Sequence, residues 1–119
     1  MVKKGSYLIP CDKSGVKLVR VFHLYKGFNR KTSFLGDFVK VSVRDVKFGS
    51  PLRKKAKLKA FLIRTKNWTK KCDGSIIKFK VNNAILLKKR TTSVGKRITG
   101  PILKLIKRRK LLSSFSKIL

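Results

Sequence analysis

The stretch GDFVKVSVRDV, residues 36–46, alternates apolar and polar side chains, and this alternation constrains the fold more than any other sequence feature. Successive side chains of a β-strand point to opposite faces, so the pattern predicts a strand with one apolar face and one largely basic face. The two predicted faces carry Val39, Val41 and Val43 on one side and Lys40, Ser42 and Arg44 on the other.

A second alternating stretch is SIIKFKV, residues 75–81, with its apolar side chains Ile77, Phe79 and Val81 opposite Lys78 and Lys80. Further strand candidates, rich in β-branched and aromatic residues, are residues 7–11, 18–25, 58–65 and 84–88. Turn-forming residues lie between the candidates. Several short strands with one apolar and one basic face favour a small closed barrel over an open sheet with exposed edges.

The chain has 4 acidic residues, and most of them lie at predicted turns. Asp73 and Gly74 form a pair that tight hairpin turns prefer, because both residues tolerate positive φ and the Asp side chain bonds to nearby backbone. Asp45 ends the predicted strand that contains Arg44. The predicted structural turn residues are Asp12, Gly15, Asp37, Asp73 and Gly74. Backbone geometry therefore explains these carboxylates better than chemistry does.

The 33 Lys and Arg residues give a formal net charge of +29. Such a charge destabilises a compact body through self-repulsion unless a partner supplies counter-charge. Because the cations are spread along the whole chain, nucleic acid is the expected partner. With 119 residues, of which 42% are hydrophobic, the chain suits one globular domain, residues 1–119, and not a disordered polycation.

Catalysis and metal binding have little support in the sequence. A hydrolase or nuclease needs clustered acids, a metal ligand set or an activated nucleophile, and one His with four turn-associated acids supplies none of these. Cys11 and Cys72 are too few and too far apart for a disulfide framework or a zinc site. We expect two buried or half-buried thiols, no cofactor and no metal.

In the C-terminal residues, the spacing of apolar side chains changes from the period of a strand to that of a helix. Gly100 and Pro101 form a break followed by a favourable helix start. Apolar residues at helical spacing follow, namely Ile102, Leu105 and Ile106, then Leu111, Leu112, Phe115 and Leu119. The pattern predicts two short amphipathic α-helices within residues 101–119, packed on a barrel of residues 6–100. A basic amphipathic membrane helix is the competing interpretation and ranks lower, because the segment is short.

Five segments in register resemble the large ribosomal subunit protein fourteen family. They are CDKSGVK, GDFVKVSV, LKAFLIRTK, CDGSIIKF with the following NNAILL, and GKRITGPI, and together they span residues 7–102. The signature-like part contains Ala60, Asp73, Gly74, Phe79 and Asn82. Departures are Phe61 in place of a small aliphatic residue, AK at residues 56–57 in place of GD, and a tail unlike the bacterial ending.

The resemblance implies a five-stranded β-barrel with small C-terminal helices, embedded in large-subunit rRNA near the face that meets the small subunit. It implies a structural, non-enzymatic role, with a contribution to an intersubunit bridge to small-subunit rRNA. The implied partners are the neighbouring large-subunit proteins nineteen and three, together with a ribosome-silencing factor. No membrane insertion is expected.

Phosphate contact requires long cationic side chains on a rigid scaffold, and Arg adds bidentate geometry. At positions that match the family we predict rRNA contacts from Lys17, Arg20, Arg30, Lys31, Arg53, Lys54, Lys55, Arg64, Lys66, Trp68, Lys70, Lys71, Lys78 and Lys96. Phe28 and Trp68 lie in basic loops, where a ring either stacks on unpaired bases or packs on a neighbouring protein. The predicted intersubunit-facing residues are Arg97, Thr99 and Pro101.

Extreme lysine content without Glu is typical of an AT-rich organellar genome. The opening MVKKGSYLIPCDKSG lacks the apolar region of a secretory signal, and a first strand near Tyr7 leaves no space for a cleavable transit peptide. We therefore expect an organelle-encoded protein of the mitochondrial matrix, with plastid and bacterial cytoplasm as alternatives. A free RNA-chaperone-like barrel is the alternative function, but it requires a row of exposed aromatics where the predicted outer faces show Lys, Ser and Arg.

Added salt should stabilise the free protein, since screening over roughly 10 Å at about 0.1 M weakens repulsion among its cations. Denaturant unfolding at increasing NaCl concentrations should show a rising midpoint. RNA affinity should fall over the same range, with a log–log slope of about −0.9 for each duplex phosphate contact. A binding titration that is insensitive to salt would contradict the electrostatic interpretation.

Overall fold

The computed structural model describes residues 2–25, 31–49, 52–71, 73–89, 92–93, 98, 100–102 and 117–118. The secondary structure of these residues consists of short and medium-length β-strands. The described strands are β1 (Tyr7–Pro10), β2 (Val16–Leu24), β3 (Phe38–Val46), β4 (Lys57–Arg64), β5 (Thr69–Lys70), β6 (Ile76–Ile77), β7 (Asn83–Lys89), β8 (Thr92–Ser93), β9 (Pro101–Ile102) and β10 (Lys117–Ile118).

Five of these strands close into the predicted barrel. Strands β1, β2, β3, β4 and β7 pair in that order, each antiparallel to the one before it. Parallel pairing of β1 with β7, at Ile9 with Asn83 and Pro10 with Ala84, completes the circle. The side-chain amide of Asn83 reinforces this closure by donating to the carbonyl oxygen of Ile9 at 2.9 Å. The prediction of a mainly β, five-stranded barrel is confirmed.

Valine, leucine and alanine side chains from all five barrel strands fill the interior. The fully buried residues of this inner cluster include Leu8, Val19, Val39, Val41, Val43, Ala60, Leu62, Ala84 and Leu86. The alternation in residues 36–46 therefore predicted the inward face of β3 correctly.

A second apolar cluster lies outside the barrel wall, over β4 and β7. It contains Cys11, Phe61, Ile63, Ile85, Leu87, Ile98 and Ile102. Residues 60–63 and 84–87 are consequently buried on both faces, which explains why these strands are apolar runs rather than alternating patterns. The segment around Ile98 and Ile102 covers the outer side of the wall.

Arg64 lies beneath this covering segment. A Cβ atom at Gly100, whose φ is +85°, would overlap the Arg64 guanidinium. Arg64 also hydrogen-bonds the Cys11 thiol, but burial is the stronger influence and raises the pKa of that thiol to about 11. Cys11 therefore stays protonated at neutral pH, as expected for a buried thiol, and Cys72 lies outside the described residues.

Strands β5 and β6 form a small hairpin whose loop, residues 71–75, contains Asp73 and Gly74. The loop is longer than the predicted tight turn, and of the pair only Gly74 has positive φ. Oδ1 of Asp73 accepts hydrogen bonds from the backbone N–H of Ser75 at 3.0 Å and from its hydroxyl at 2.6 Å. These two bonds hold the pKa of Asp73 below its usual value. Gly74 has a φ of +90°, and the loop closes where its N–H donates to the carbonyl of Lys71 at 3.1 Å.

The predicted strand over residues 75–81 is only partly present, since its paired part is Ile76–Ile77 in β6. The barrel already closes through β1 and β7, so residues 78–81 run beside the wall instead of joining it. Ile77 and Phe79 are half-buried and Val81 is exposed. The alternation correctly marked exposed lysines but overestimated the strand length.

The predicted helix start at Pro101 is wrong. Pro101 and Ile102 form β9, which pairs in parallel with β10. Proline's fixed φ also suits the first residue of a strand, and burial of Ile102 in the second cluster favours the extended form. Among the described residues none is helical, and the remainder of the predicted helices, residues 103–116 and 119, lies outside them.

Gly74→Val should destabilise the folded protein by more than about 1 kcal/mol, because a β-branched residue resists positive φ. No atom lies within 4 Å of the added Cβ, so the cost would come from the backbone alone. Asp73→Asn should be nearly silent, since an amide oxygen accepts the same hydrogen bonds. Denaturant unfolding of both variants measures this, and equal losses would contradict the proposed turn.

Gly100→Ala should cost more than Gly49→Ala, because both sites have positive φ but only the former places its Cβ on Arg64. Gly49 has a φ of +79° with nothing within 4 Å of an added Cβ, which makes it a matched control. In an Arg64→Ala background the excess cost should disappear, as measured by a double-mutant cycle in denaturant unfolding. An excess that persists there would rule out the overlap as its cause.

Candidate nucleic-acid interface

Cationic side chains cover the outer surface of the barrel. Of the Lys and Arg residues whose burial is described, none is buried. Lys17 and Arg20 are exposed on β2 because the inward positions of that strand, such as Val19 and Val21, fill the core. The strand pattern that builds the core therefore also places the cations outside.

The loop between β3 and β4 presents three consecutive cations, Arg53, Lys54 and Lys55, all of them exposed. Main-chain hydrogen bonds fix this loop, which we call the cationic loop: the N–H of Lys55 donates to the carbonyl of Val43 at 2.8 Å. The N–H of Val43 donates in turn to the carbonyl of Ala56 at 2.9 Å. The backbone at Lys55 and Ala56 is therefore anchored to β3, and the three cationic side chains extend from it into solvent.

Two concave surfaces adjoin the β5–β6 hairpin. The first, with a volume of about 610 Å³, is lined by Phe34, Leu35, Thr65, Asn67, Trp68, Thr69 and Lys70, and we call it the tryptophan groove. The second, of about 550 Å³, is lined by Lys66, Asn67, Lys78, Phe79 and Lys80. Both volumes fall within the range of ligand-binding clefts.

Trp68 is the only Trp of the chain and is 69% exposed. It is therefore not packed into its own domain. The Lys78 ammonium lies 5.6 Å from the centre of its ring, within cation–π range. Phe34, across the tryptophan groove, is 52% exposed. An exposed ring bordered by cations is the arrangement that sequence-tolerant RNA binding uses.

The structure brings several other predicted rRNA-contacting residues close to this groove. Lys66 and Lys70 are exposed beside Trp68, Lys71 is half-buried in the hairpin, and Lys31 is exposed ahead of Phe34. Arg64 is half-buried, and its side chain hydrogen-bonds the Cys11 thiol of the same chain. These contacts indicate a structural role for Arg64. Four of the predicted site residues lie outside the described residues: Arg30, Lys96, Arg97 and Thr99. Phe28 also lies outside them.

Three of the four carboxylates accept hydrogen bonds from the backbone. Asp12 accepts from the N–H of Leu86 at 3.3 Å, and its other oxygen accepts the Ser14 hydroxyl at 2.8 Å. Asp37 accepts from the N–H of Phe34 at 2.9 Å, and Gly15 and Gly36 adopt positive φ at these two turns. Because the chain has 4 acidic residues against 33 Lys and Arg residues, most of its cations lack an internal counter-charge.

Sequence reasoning missed aromatic rings on the outer face of the barrel. Tyr7 is 53% exposed and Phe22 is 39% exposed, so the expectation that outer faces show only Lys, Ser and Arg is wrong. The break in alternation at Phe22 and His23, two consecutive outward residues, was the available signal. Lys59 was also missed, and its ammonium lies 4.3 Å from the ring centre of Phe38.

Other kinds of site find no support in the described part of the chain. Its His, Cys, Asp and Glu residues form no group of three or more that could hold a metal ion. The same residues include no helix with the length and apolar character needed to cross a membrane. What the described geometry offers is a basic surface with exposed rings.

Similarity to known proteins extends over the whole chain. A family model described as Ribosomal protein L14p/L23e matches residues 1–119. Large ribosomal subunit protein uL14m of Tetrahymena pyriformis is 46% identical over 115 residues, covering 97% of this chain and 97% of that protein. Large ribosomal subunit protein uL14 of Carsonella ruddii (strain PV) is 37% identical over 110 residues, covering 92% and 90%. The likeness thus extends over the barrel and the C-terminal segment, not one motif.

Proposed function

Because the chain belongs to the ribosomal protein L14p/L23e family, structural proteins of the large ribosomal subunit and not enzymes, we propose that its basic surface binds large-subunit rRNA. One observation carries this proposal: the cations lie outside on a closed barrel while most of the carboxylates are bonded to backbone. An RNA partner supplies the missing negative charge.

Salt-dependent phosphate contacts would provide most of the affinity. Each neutralised phosphate releases condensed counterions, so many exposed cations on one rigid body add up to strong binding at low salt. The cationic loop suits a fixed phosphate groove, since its backbone is held by β3. We assign Arg53, Lys54 and Lys55 mainly to rRNA docking.

The tryptophan groove would accept an unpaired rRNA base. Trp68 supplies an exposed ring, and Lys66, Lys70 and Lys78 supply nearby cations for the flanking phosphates. Lys17, Arg20 and Lys31 are further exposed cations of the basic surface. Packing of Trp68 on a neighbouring protein is the alternative.

A second surface would face the small subunit and contribute to an intersubunit bridge with its rRNA. We place this surface at Arg97, Thr99 and Pro101. Pro101 is half-buried in β9, and its neighbour Ile102 anchors the segment to the second apolar cluster. Such anchoring would hold the segment in place at the edge of the barrel.

Further partners follow from the family. We propose contacts with the neighbouring large-subunit proteins nineteen and three, and docking of a ribosome-silencing factor. The compartment we propose is the mitochondrial ribosome, because the relative from Tetrahymena pyriformis is named uL14m. We also propose a gene in the organelle, because the chain is rich in Lys and contains no Glu. The match to a bacterial protein keeps a bacterial-type ribosome as the wider class.

A free RNA-binding barrel is the second candidate function, since Tyr7 and Phe22 are exposed on the outer face. Such a protein would bind RNA without joining the ribosome. Sedimentation separates the two candidates, because a ribosomal constituent travels with the large subunit at salt concentrations that remove loosely bound protein.

Charge removal in the cationic loop (Arg53→Ala, Lys54→Ala, Lys55→Ala) should lower the amount of protein in assembled large subunits, as anchoring contacts act during assembly. Arg97→Ala should instead leave the large subunit intact and weaken its joining to the small subunit, most clearly at low magnesium. Quantitative sucrose gradients measure both effects.

The control for these gradients removes the same charge from exposed cations outside the predicted set (Lys13→Ala, Arg44→Ala, Lys47→Ala). This control should incorporate better than the loop variant. Wild-type protein that remained with free RNA would overturn the ribosomal proposal. Equal loss of incorporation in the loop and Arg97 variants would show that Arg97 is another rRNA anchor.

A further inference from the structure

A row of side chains crosses the outer face of the barrel from β1 to β4. Strand pairing places Tyr7 beside Arg20, Arg20 beside Ser42, and Ser42 beside Lys57. Paired residues of neighbouring strands point to the same side of a sheet, so these four side chains form one continuous surface. Tyr7, Arg20 and Lys57 are exposed, and the small Ser42 is half-buried between the two cations.

A second ring, Phe22, lies next to this row at a β-bulge in β2. The pairing of Val21 with Val41 and of His23 with Lys40 leaves Phe22 as the extra residue of β2. Val21 and Leu24 are buried, whereas Phe22 and His23 both point outward. Bulges characteristically re-aim a side chain in this way. Alternation from Val19 and Val21 already directs Phe22 outward, and the extra residue turns His23 outward as well before Leu24 points inward again.

Each ring is bordered by a cation of the same row. The guanidinium carbon of Arg20 lies 5.7 Å from the ring centre of Tyr7, and the ammonium of Lys57 lies 6.0 Å from that of Phe22. Both rings are exposed, so the row presents flat apolar surface next to positive charge. A ligand for this surface must offer both flat π-faces and negative charge.

We propose that Tyr7, Arg20, Phe22 and Lys57, the outer platform, bind unpaired nucleotides of RNA. Bases stack on the two rings and on the Arg20 guanidinium, and the linking phosphates contact Arg20 and Lys57. A single strand fits this surface better than a duplex, because paired bases hide their faces inside the stack. The outer platform rests on the proposed rRNA-binding function and adds to it a second stacking site, separate from the tryptophan groove.

RNA also fits better than a protein partner. A protein would need to bring carboxylates to Arg20 and Lys57 and flat apolar surface to the rings, whereas each nucleotide carries both a phosphate and a base. Small barrels of comparable size bind oligonucleotides on the outer face of neighbouring strands.

The test titrates the full chain with short oligouridine and with an RNA duplex of equal length, at several salt concentrations. Tyr7→Ala and Phe22→Ala should each weaken oligouridine binding about tenfold and leave duplex binding unchanged. Because stacking releases no counterions, the salt slope should stay the same in both variants. Phe48→Ala, which removes a fully exposed ring outside the outer platform, is the matched control and should bind as wild type does.

Trp68 fluorescence makes the possible failures distinguishable, because it reports the tryptophan groove and is the only Trp signal. If Tyr7→Ala and Phe22→Ala bind oligouridine as tightly as Phe48→Ala does, and RNA still quenches Trp68 fluorescence, then the proposed outer platform is wrong but RNA binding itself stands. A wild-type chain that binds no RNA overturns rRNA binding itself. Variants that bind oligouridine normally but fail to join large subunits show that the outer platform meets a protein. Tyr7→Leu and Phe22→Leu keep the apolar bulk and should reproduce the loss if Ala impairs folding.

Discussion

Burial of β7 on both of its faces is the constraint on which the rest of the structure depends. One face of this strand, at Ala84 and Leu86, fills the barrel, and the other, at Ile85 and Leu87, supports the covering segment. The same strand pairs with β4 along one edge and closes onto β1 along the other. Removing its apolar character from either face would therefore open the barrel or release the covering segment.

Electrostatics complement this packing. Three of the four carboxylates are acceptors for turns and barrel closure, and the cations that surround them stay at the surface. A fold of this kind is stable in itself only to the extent that its two apolar clusters outweigh charge repulsion. Binding RNA then adds stability and function through one interaction, since the phosphates that position the protein also neutralise it.

Local patterns predicted what local rules determine. The inward valines of β3 and the Asp73–Gly74 turn follow from side-chain alternation and from the φ preferences of single residues. The bulge at Phe22 and the strand at Pro101 depend instead on distant contacts, with β3 in one case and with the second apolar cluster in the other. For the candidate site, the sequence alone predicted Trp68 and the cations. It could not predict that Tyr7 lies beside Arg20, because only the pairing of β1 with β2 brings these two residues together.

The pairing of residue 9 with residue 83, which closes the barrel, also affects when the protein can fold during its synthesis. The first strand is made early, and its parallel partner appears only after more than half of the chain has been synthesised. Long separations of this kind slow folding, since loop entropy must be lost before the contact forms. Until β7 emerges, β1 has an unpaired edge on a strongly cationic nascent chain. The barrel can therefore close only after residues 83 and 84 have been synthesised, and the cations of the earlier strands are present before their rigid support is complete.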